Sequence, residues 1–365
     1  MQSDVVVVGA GPAGIATAIA ARLKGLKATV LDFRKPPIDK PCGEGLLPEA
    51  VDALHTLGID LSRTAFPFSG IRFSDDQSSV SARIAGRAFG LQRKVLHQLL
   101  VKRATALQVR FLWGRRVSEF HADHLQIGDQ SLSFRWLVGA DGQNSAVRKW
   151  AGLNPRRRAH SRFGFRRHYA VKPWTDCVEV HWGERCQMFV TPTGEEEVCV
   201  ALLANDPQMR IDRALAQFPA VANRLRCAGV IAHEAGAVSV LGRARAVVRG
   251  NVALVGDASC AIDGIAGQGL SLAFQQAMAL GDALAREDMP HYVAAHRQIT
   301  ANAVRMTRLL LLMGSSVTLR RKVLRLFAKN PIFFSRMMAI HTRESREAAL
   351  KARDVVGLGW RILWA

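Results

Sequence analysis

Residues 4–32, DVVVVGAGPAGIATAIAARLKGLKATVLD, contain the pattern that decides the fold of this chain. A short β-branched run is followed by glycines in G-x-G-x-x-G spacing and then by an alanine-rich segment of helical character. Each glycine has a separate mechanical role: Gly9 permits a tight turn, Gly11 lets the backbone approach a pyrophosphate, and Gly14 lets the helix pack closely on the strand. The pattern predicts a strand, a turn and a helix that together bind a nucleotide.

The residues that follow the glycines fit the same prediction. The helix, which begins near Ala13, directs its unpaired N–H groups at the phosphates. A second strand over residues 27–31 ends in Asp32, whose carboxylate is placed to accept the ribose hydroxyls of an adenosine half. A glycine-rich turn can also be purely structural, but here the strand, the helix, the second strand and the terminal acid all occur where a βαβ unit needs them.

Length and composition limit the class of protein. The 365 residues exceed the usual size of one domain, and a hydrophobic content of 49% suffices for a large core. No stretch approaches the roughly 18 apolar residues that a membrane-spanning helix needs. The first strand begins at residue 4, which leaves no room for a cleaved leader, so we expect a cytoplasmic protein.

The net charge is the unusual feature of the composition. The 50 Lys and Arg residues outnumber the 30 Asp and Glu residues, which gives a formal charge of +20. Such a surface attracts polyanions, for example an anionic membrane or an acidic carrier protein, and it can also be merely solvated. Because no nucleic-acid-binding module is recognisable and aromatic residues make up only 7%, we expect no nucleic-acid partner. The oligomeric state stays open.

The cysteines do not indicate a metal site. The chain has six of them, with no C-x-x-C pair and no histidine cluster at metal-ligand spacing. We therefore expect neither a bound metal nor a disulfide framework.

Two more motifs stand at the ends of predicted strands. One is GADGQNSAVR at residues 139–148, and the other is VGDASCAIDGIAGQGLSLAFQQA at residues 255–277. Between the glycine turn and these motifs, a helix is predicted to begin near Arg93, with Leu96 three residues further on. In this order and spacing, the four motifs resemble those of FAD-dependent aromatic hydroxylases of the para-hydroxybenzoate hydroxylase type.

That resemblance covers about residues 4 to 285 and implies an extended FAD on a Rossmann-like domain. It implies that Asp257 binds the ribityl hydroxyls and that Arg93 meets a pyrophosphate oxygen. The helix that follows Gly267 would point its positive end at the flavin pyrimidine edge. The cofactor-binding residues indicated by the sequence and the resemblance together are Gly9, Gly11, Ala13, Gly14, Asp32, Cys42, Gly43, Arg93, Val117, Asp141, Asp257, Gly267, Gln268, Gly269 and Leu270.

Departures from the hydroxylase pattern leave the reaction open. Cys260 and Gly264 stand where the hydroxylases usually carry histidine and proline. The segment PCGEGLLP at residues 41–48 instead resembles the geranylgeranyl reductase branch of the superfamily, which has a Cys-Gly pair near the flavin. The aromatic-rich substrate motif of that branch is not evident at residues 186–202, and the halogenase signature W-x-W-x-I-P is absent.

Few side chains qualify as catalytic groups. Cys42 is the candidate, either as a group that lies on the flavin face or relays a proton, or as a small residue of the turn beside the cofactor. Glu44, Tyr169 and His181 are further polar candidates for the pocket, each of which also has an ordinary structural explanation. No Ser/His/Asp or paired-carboxylate constellation stands out in the sequence.

Two functions follow from the resemblance, and the charge of +20 suggests a third. The first is an NAD(P)H-using monooxygenase that hydroxylates a hydrophobic, aromatic secondary metabolite through a flavin C4a-hydroperoxide. The second is a flavoprotein that reduces a lipid or isoprenoid double bond, and the third is a flavoprotein that acts on a protein- or carrier-bound substrate. For the first two, the expected partner is a small hydrophobic molecule.

We predict a mixed α/β fold in three parts. A Rossmann-like FAD-binding domain with a β-meander comprises residues 1–65, 88–160 and 236–300, and an antiparallel-sheet substrate domain comprises residues 66–87 and 161–235. A helical segment, residues 301–365, closes the chain. Within it, LRRKVLRLFAK at residues 319–329 predicts an amphipathic helix that either packs on its own domain or lies on an anionic membrane.

Two segments carry separate predictions. Residues 154–167 are dense in arginine and indicate a surface linker, and residues 211–225 indicate a single helix.

Overall fold

The structure is a computed structural model that describes residues 2–155 and 161–342, and its first sheet is built on the β-branched run. The spatial order of the sheet is β16-β17-β9-β1-β2-β6, and β7 and β8 extend it beside β9. Its strands are β1 (Gln2–Val8), β2 (Ala28–Asp32), β6 (Arg110–Trp113), β7 (Glu119–Phe120), β8 (His124–Ile127), β9 (Gln130–Gly139), β16 (Val248–Arg249) and β17 (Val252–Leu254).

Strand β1 lies in the interior of this sheet and runs parallel to both of its neighbours, β2 and β9. Val5, Val6 and Val7 are fully buried, as a strand covered on both faces requires. The first helix, α1 (Pro12–Leu23), follows directly, with proline at its first position, where the missing N–H breaks no helical bond. The glycine fingerprint therefore lies at the end of a central strand.

The second sheet forms the other half of the protein. Its spatial order is β14-β10-β13-β12-β11-β4-β5-β3, and its neighbours are antiparallel except for β4 and β11. Its strands are β3 (Gly45–Leu46), β4 (Phe66–Ser74), β5 (Ser79–Gly90), β10 (Ser161–Ala170), β11 (Cys177–Trp182), β12 (Cys186–Gly194), β13 (Glu197–Ala204) and β14 (Gly229–Val240). A separate short pair, β15 (Gly242–Arg243) and β18 (Cys260–Ala261), lies near the second strand-end motif.

Helices cover both sheets. Helix α7 packs closely on α1, because a side chain at Gly281 would collide with Ala20. Helices α8 (Met289–Ser315), α9 (Val317–Lys329) and α10 (Pro331–His341) pack against the second sheet, where α9 and α10 contact β5. Besides α1, the helices are α2 (Pro48–Thr56), α3 (Arg93–Ala106), α4 (Ala146–Trp150), α5 (Ile211–Leu215), α6 (Pro219–Leu225), α7 (Gly269–Arg286), α8 (Met289–Ser315), α9 (Val317–Lys329) and α10 (Pro331–His341).

The predicted mixed α/β class with a helical C-terminal segment is confirmed by the described residues, whereas residues 343–365 of the predicted segment lie outside them and the domain boundaries stay a prediction. No helix within residues 2–155 and 161–342 combines the length and the apolar character needed to cross a membrane.

Two local predictions are wrong. The predicted linker over residues 154–167 is wrong for residues 161–167, which belong to β10, an interior strand whose Arg162 and Arg166 are buried because acidic side chains pair with them. Residues 156–160 of the predicted linker lie outside the described residues. The predicted single helix over residues 211–225 is two helices, since Pro219 cannot donate the backbone bond that a continuous helix needs.

Candidate active site

A cavity of about 360 Å³ extends from the glycine turn, past the ends of β9 and β17, to the second sheet and the last helices. Two thirds of the predicted cofactor-binding residues line this cavity, and the others are not part of its lining. The lining members are Gly11, Ala13, Cys42, Gly43, Arg93, Asp141, Asp257, Gly267, Gly269 and Leu270. Those outside the lining are Gly9, Gly14, Asp32, Val117 and Gln268.

The glycines of the first turn have the different surroundings that their predicted roles require. Gly9 has a φ of +106°, and a side chain there would collide with the backbone of Ala140. A side chain at Gly14 would collide with the Gly9 carbonyl, so this helix start packs directly on the turn. At Gly11, by contrast, no atom lies within 4 Å of the position that a Cβ would occupy. Of the three glycines, Gly11 is therefore the one whose backbone borders the cavity.

Asp32 stabilises the same turn by hydrogen bonds to backbone N–H groups. Its Oδ2 accepts a 2.9 Å hydrogen bond from the Ala10 N–H, and its Oδ1 accepts another from the Arg34 N–H. The carboxylate is almost completely buried. The structure thus gives Asp32 a supporting contact, and its binding of ribose hydroxyls stays a prediction.

The second glycine group lies at the N-terminus of α7. Gly267 has a φ of +64°, and the positions that side chains would occupy at Gly267 and Gly269 are open. The unpaired N–H groups of this 18-residue helix start at the cavity and favour negative charge there. Gln268 is not part of the cavity lining, and its side-chain amide donates a hydrogen bond to the backbone carbonyl of His341.

Asp141 and Asp257 reach the cavity from the ends of two neighbouring strands. Asp141 Oδ2 accepts bonds from the N–H groups of Ala146 and Val147, at 2.6 and 3.2 Å, and so fixes the start of α4. Burial raises the pKa of Asp141, although the same hydrogen bonds act to lower it. Asp257 Oδ2 accepts a 2.7 Å bond from Lys40 Nζ, which ties the connector after β2 to the second strand-end motif.

The residues around this half of the cavity fit an extended dinucleotide such as FAD. Two polar atoms at its wall, Arg93 Nε and Asp141 Oδ1, are buried and have no hydrogen-bond partner among the described residues. In addition, several glycines present bare backbone where side chains would fill the space. They are Gly11, Gly43, Gly142, Gly267 and Gly269.

The connector after β2 carries Cys42 into the same cavity. Thr191 donates a 2.7 Å hydrogen bond from its hydroxyl to the Gly43 carbonyl and so fastens the connector to the second sheet. Glu44 has a φ of +60°, and its N–H contacts Cys42 Sγ at 3.4 Å. The thiol therefore has a defined position where the two sheets meet.

Glu44 itself is held by a buried set of charges that the sequence did not reveal. Its Oε1 accepts bonds from the Arg93 N–H and from Arg166 Nη1, and its Oε2 accepts a 2.6 Å bond from His168 Nε2. Arg166 also forms a bidentate pair with Asp39, at 3.0 and 2.9 Å. Burial opposes charge here, yet the contact with Arg166 still lowers the pKa of Asp39.

Glu44, His168 and Cys199 also form a group of potential metal ligands, with ligand atoms within 4.8 Å of one another. Both Glu44 oxygens already accept hydrogen bonds, and the Arg166 guanidinium adjoins one of them. Because a fixed positive charge opposes a cation, we interpret the group as an ion-pair network that supports the Cys42 connector.

The remaining candidates lie elsewhere. Val117 packs in a hydrophobic cluster beside β8 and β9, and its assignment as a cofactor-binding residue stays a prediction. Tyr169 is buried in the core between the second sheet and α5 and α6. His181 hydrogen-bonds with Glu179 and Ser74. The structure brings none of these three residues to the cavity lining.

The other half of the cavity is apolar. The second sheet and the C-terminal helices both contribute to its wall, so it lies between two separate parts of the chain. Its apolar side chains include Phe68, Ile71, Phe73, Val178, Val180, Phe189, Leu203, Met306, Leu310 and Met338.

His296 lies behind the second strand-end motif and makes stability depend on pH. It is 1% exposed, its Nε2 lies 2.9 Å from Ser259 Oγ, and burial lowers its pKa to about 4. The unfolded chain takes up this proton below about pH 6.5, while the folded protein does not until about pH 4. Stability should therefore fall as the pH is lowered through this window, by about 1.4 kcal/mol per pH unit for this group.

Chemical denaturation from pH 7 to pH 4.5 tests this prediction. We expect His296→Gln to flatten the decline relative to the unchanged protein. His291→Gln, which replaces an exposed histidine of the same helix, is the control and should leave the decline unchanged. Equal slopes for His296→Gln and the unchanged protein would contradict the prediction.

Comparisons with known proteins agree with this geometry. A family model described as an FAD binding domain matches residues 2–288. A menaquinone reductase of Mycobacterium tuberculosis is 28% identical over 317 residues, which cover 79% of this chain and 78% of that protein. A 3-(3-hydroxy-phenyl)propionate/3-hydroxycinnamic acid hydroxylase of Mycobacterium sp. is 31% identical over 170 residues, but this match covers 42% of the chain and 30% of the hydroxylase.

A solved structure extends the agreement to the whole fold. The flavoprotein/dehydrogenase from Cytophaga hutchinsonii superposes with a TM-score of 0.81 at 17% identity, covering 94% of this chain and 93% of that one. At this identity the likeness shows the fold alone, and it confirms the predicted flavoprotein architecture.

Proposed function

The chain belongs to the FAD-binding-domain family and is an FAD-dependent oxidoreductase, and on that premise we propose that it reduces a double bond in a lipophilic substrate of the isoprenoid or isoprenoid-quinone class. The extent of the two matches supports this order of candidates. The similarity to the menaquinone reductase continues through most of both chains, whereas the similarity to the hydroxylase covers less than half of this one.

The observation that carries the proposal is the apolar half of the cavity. Aromatic side chains such as Phe68 and Phe73 face it from the second sheet, and Met306, Leu310 and Met338 close it from the helices. Removing an isoprenoid chain from water gains roughly 0.8 kcal/mol for each buried methylene. Methionine side chains adapt to irregular apolar ligands. The wall thus suits a long hydrocarbon group better than a polar metabolite.

The cofactor and the chain divide the chemistry between them. When FAD is bound and reduced, it supplies the hydride that one carbon of the double bond receives. The N-terminus of α7 stabilises negative charge beside it, and the apolar wall excludes water. We assign the proton for the second carbon to the Cys42 thiol, which lines the cavity and regains its proton from solvent.

We propose NAD(P)H as the electron donor. The support is the presence of two half-exposed cations at the cavity wall, Arg34 and Lys40, whose side chains are 45% and 42% exposed while they pair with Asp32 and Asp257. An anionic dinucleotide is attracted to such a rim.

Hydroxylation of a hydrophobic aromatic compound is the second candidate. The 31% identity with a hydroxylase over 170 residues favours it, and the same apolar wall suits an aromatic ring. It differs from the first candidate in one requirement, because hydroxylation consumes dioxygen and reduction of a double bond does not.

Anaerobic mixing distinguishes the two candidates. The FAD-loaded protein is reduced with dithionite, and menaquinone or geranylgeraniol in detergent is added while the flavin absorbance is recorded. We expect the oxidised flavin spectrum to return without oxygen and a saturated product to form. A flavin that stays reduced with both probes, and reoxidises only when oxygen and an aromatic substrate are added, would favour hydroxylation instead.

Cys42→Ala tests the assignment of the proton donor. Loss of a general acid typically slows a reaction by about 100-fold or more, so we expect anaerobic flavin reoxidation by substrate to slow by this factor. Reduction of the flavin by NADPH should keep its rate, because the thiol takes no part in it. Cys227→Ala, at an exposed cysteine, is the matched control. A Cys42→Ala variant with the reoxidation rate of the control would refute the assignment.

A further inference from the structure

Helices α8, α9 and α10 contain no acidic residue. From Met289 to Thr342 the chain has nine Lys and Arg residues and neither Asp nor Glu, although the whole protein has 30 acidic residues. From this segment, which comprises α8, α9 and α10, we infer that the outer face of the helices is a docking surface for an anionic lipid membrane.

Part of this charge is neutralised within the protein. Arg320 and Arg321 reach Asp75 and Asp76 of the turn between β4 and β5, with nitrogen–oxygen distances of 3.9 and 2.6 Å. These pairs attach α9 to the second sheet. They also show which basic side chains serve the fold.

Other basic side chains of these helices point into solvent. For these, the ion pairs within residues 2–155 and 161–342 include no carboxylate partner. They are Arg305, Arg308, Arg325, Lys329 and Arg336. Each basic residue near an anionic lipid surface contributes about 1 kcal/mol to binding.

Apolar side chains accompany the exposed charges. Leu312 is 55% exposed and lies on the same face of α8 as Arg305 and Arg308, at spacings of seven and four residues. Ile332 is 86% exposed, and four residues after it comes Arg336 on α10. Exposed aliphatic groups beside arginine and lysine are typical of helices that lie at a lipid interface. A polyanion such as nucleic acid would use the charge and leave these aliphatic groups in water.

The same helices form a wall of the cavity. Met306 and Leu310 of α8 and Met338 of α10 line its apolar half, while the opposite faces carry the exposed charges. A lipophilic substrate resides in a membrane, so docking through these helices would bring the cavity close to the substrate. This link to the substrate rests on the proposed function, whereas the lipid binding itself does not.

Vesicle sedimentation with the full-length, FAD-loaded protein tests the inference. The probes are vesicles of phosphatidylcholine and vesicles in which one quarter of the lipid is phosphatidylglycerol. We expect binding to the anionic vesicles and much weaker binding to the neutral ones. High salt should reduce the electrostatic part of this binding.

The variant Arg325→Gln/Lys329→Gln/Arg336→Gln removes three of the exposed charges. Since one basic residue near the surface is worth about a factor of five, we expect the partition coefficient to fall roughly 100-fold. The control Arg63→Gln/Lys102→Gln/Arg226→Gln removes the same charge from exposed positions outside these helices. Ile332→Ser, which keeps every charge, should weaken binding several-fold because Ile332 enters the interface.

The outcomes of these experiments distinguish an anionic membrane from other binding partners. Equal losses for the triple variant and its control would overturn the inference, because net charge alone would then explain the binding. Failure to bind either vesicle, together with saturable binding to an acidic carrier protein that the triple variant loses, would assign the surface to a protein partner instead. Because no turnover is measured, these results do not depend on the reaction catalysed.

Discussion

Replacing Gly11 by valine is expected to abolish FAD binding and leave the fold intact. No atom lies within 4 Å of the position that a Cβ would take at Gly11, so the folded chain accommodates a side chain there. That side chain would enter the cavity where the backbone approaches the pyrophosphate. We expect the dissociation constant for FAD to rise by at least roughly 100-fold, which corresponds to about 3 kcal/mol of steric cost.

Gly242→Val is the matched control. Gly242 also has an open position for a Cβ, and it is not among the cavity-lining residues. Fluorescence titration of the apoprotein with FAD should give unchanged affinity for Gly242→Val and lost affinity for Gly11→Val, with equal thermal unfolding of the two apoproteins. Undiminished FAD affinity of Gly11→Val would contradict the placement of the pyrophosphate.

Arg166→Met is expected to cost about 3–5 kcal/mol of the free energy of unfolding, because it removes the guanidinium that pairs with the fully buried carboxylate of Glu44 and with the partly buried carboxylate of Asp39. The side chain of Arg166 is 5% exposed and that of Glu44 is 0% exposed, and their closest atoms are 2.8 Å apart. Asp39 loses both of its bonds from the same guanidinium. Cys42, two residues before Glu44, should lose its fixed position as well.

Arg83→Met is the control in the same sheet. Arg83 lies in β5 and pairs with Asp176 at 3.8 Å, and the two side chains are 83% and 62% exposed. An ion pair open to solvent contributes about 1 kcal/mol or less. Urea denaturation should therefore separate the two variants by several-fold in the stability lost. Adding Glu44→Gln to Arg166→Met should restore part of the loss, since one unpaired charge is then gone. Similar losses for both arginine variants would refute the role of the network.

The sequence alone was sufficient to predict that the glycine turn and the two strand-end motifs border one site. The glycine turn, Asp141 and Asp257 follow strand ends, and strand ends of one parallel sheet meet at one edge, so local patterns predict a shared location. The family, the fold class and the assignment as an FAD-dependent oxidoreductase are confirmed by the comparisons. The roles of the individual residues stay predictions.

The buried charges could not be predicted from local patterns. Arg162 and Arg166 belong to an arginine-rich segment whose composition indicates solvent exposure, yet both are almost fully buried. Their partners, Asp263 for one and Asp39 with Glu44 for the other, lie between 101 and 127 residues away in the chain. Only the pairing of β10 within the second sheet brings these groups together.

The apolar half of the cavity could not be predicted from local sequence patterns either. Phe68 and Met306 lie far apart in the sequence, and each is an ordinary core residue in its own element. Periodicity shows which side of a strand or a helix is apolar, but it does not show which apolar sides face each other across a cavity. The hydrophobic substrate was therefore predicted from the family resemblance, and not from the composition or the periodicity of the sequence.

The mass of the product tests the central claim most directly. The FAD-loaded protein, NADPH and menaquinone are incubated under isotopically labelled dioxygen and, in parallel, without oxygen, and any quinol formed is then reoxidised in air. We predict a product heavier by two hydrogen atoms, formed equally in both incubations and free of label. A product that forms only with dioxygen and contains one labelled oxygen atom would contradict the account and identify the protein as a hydroxylase.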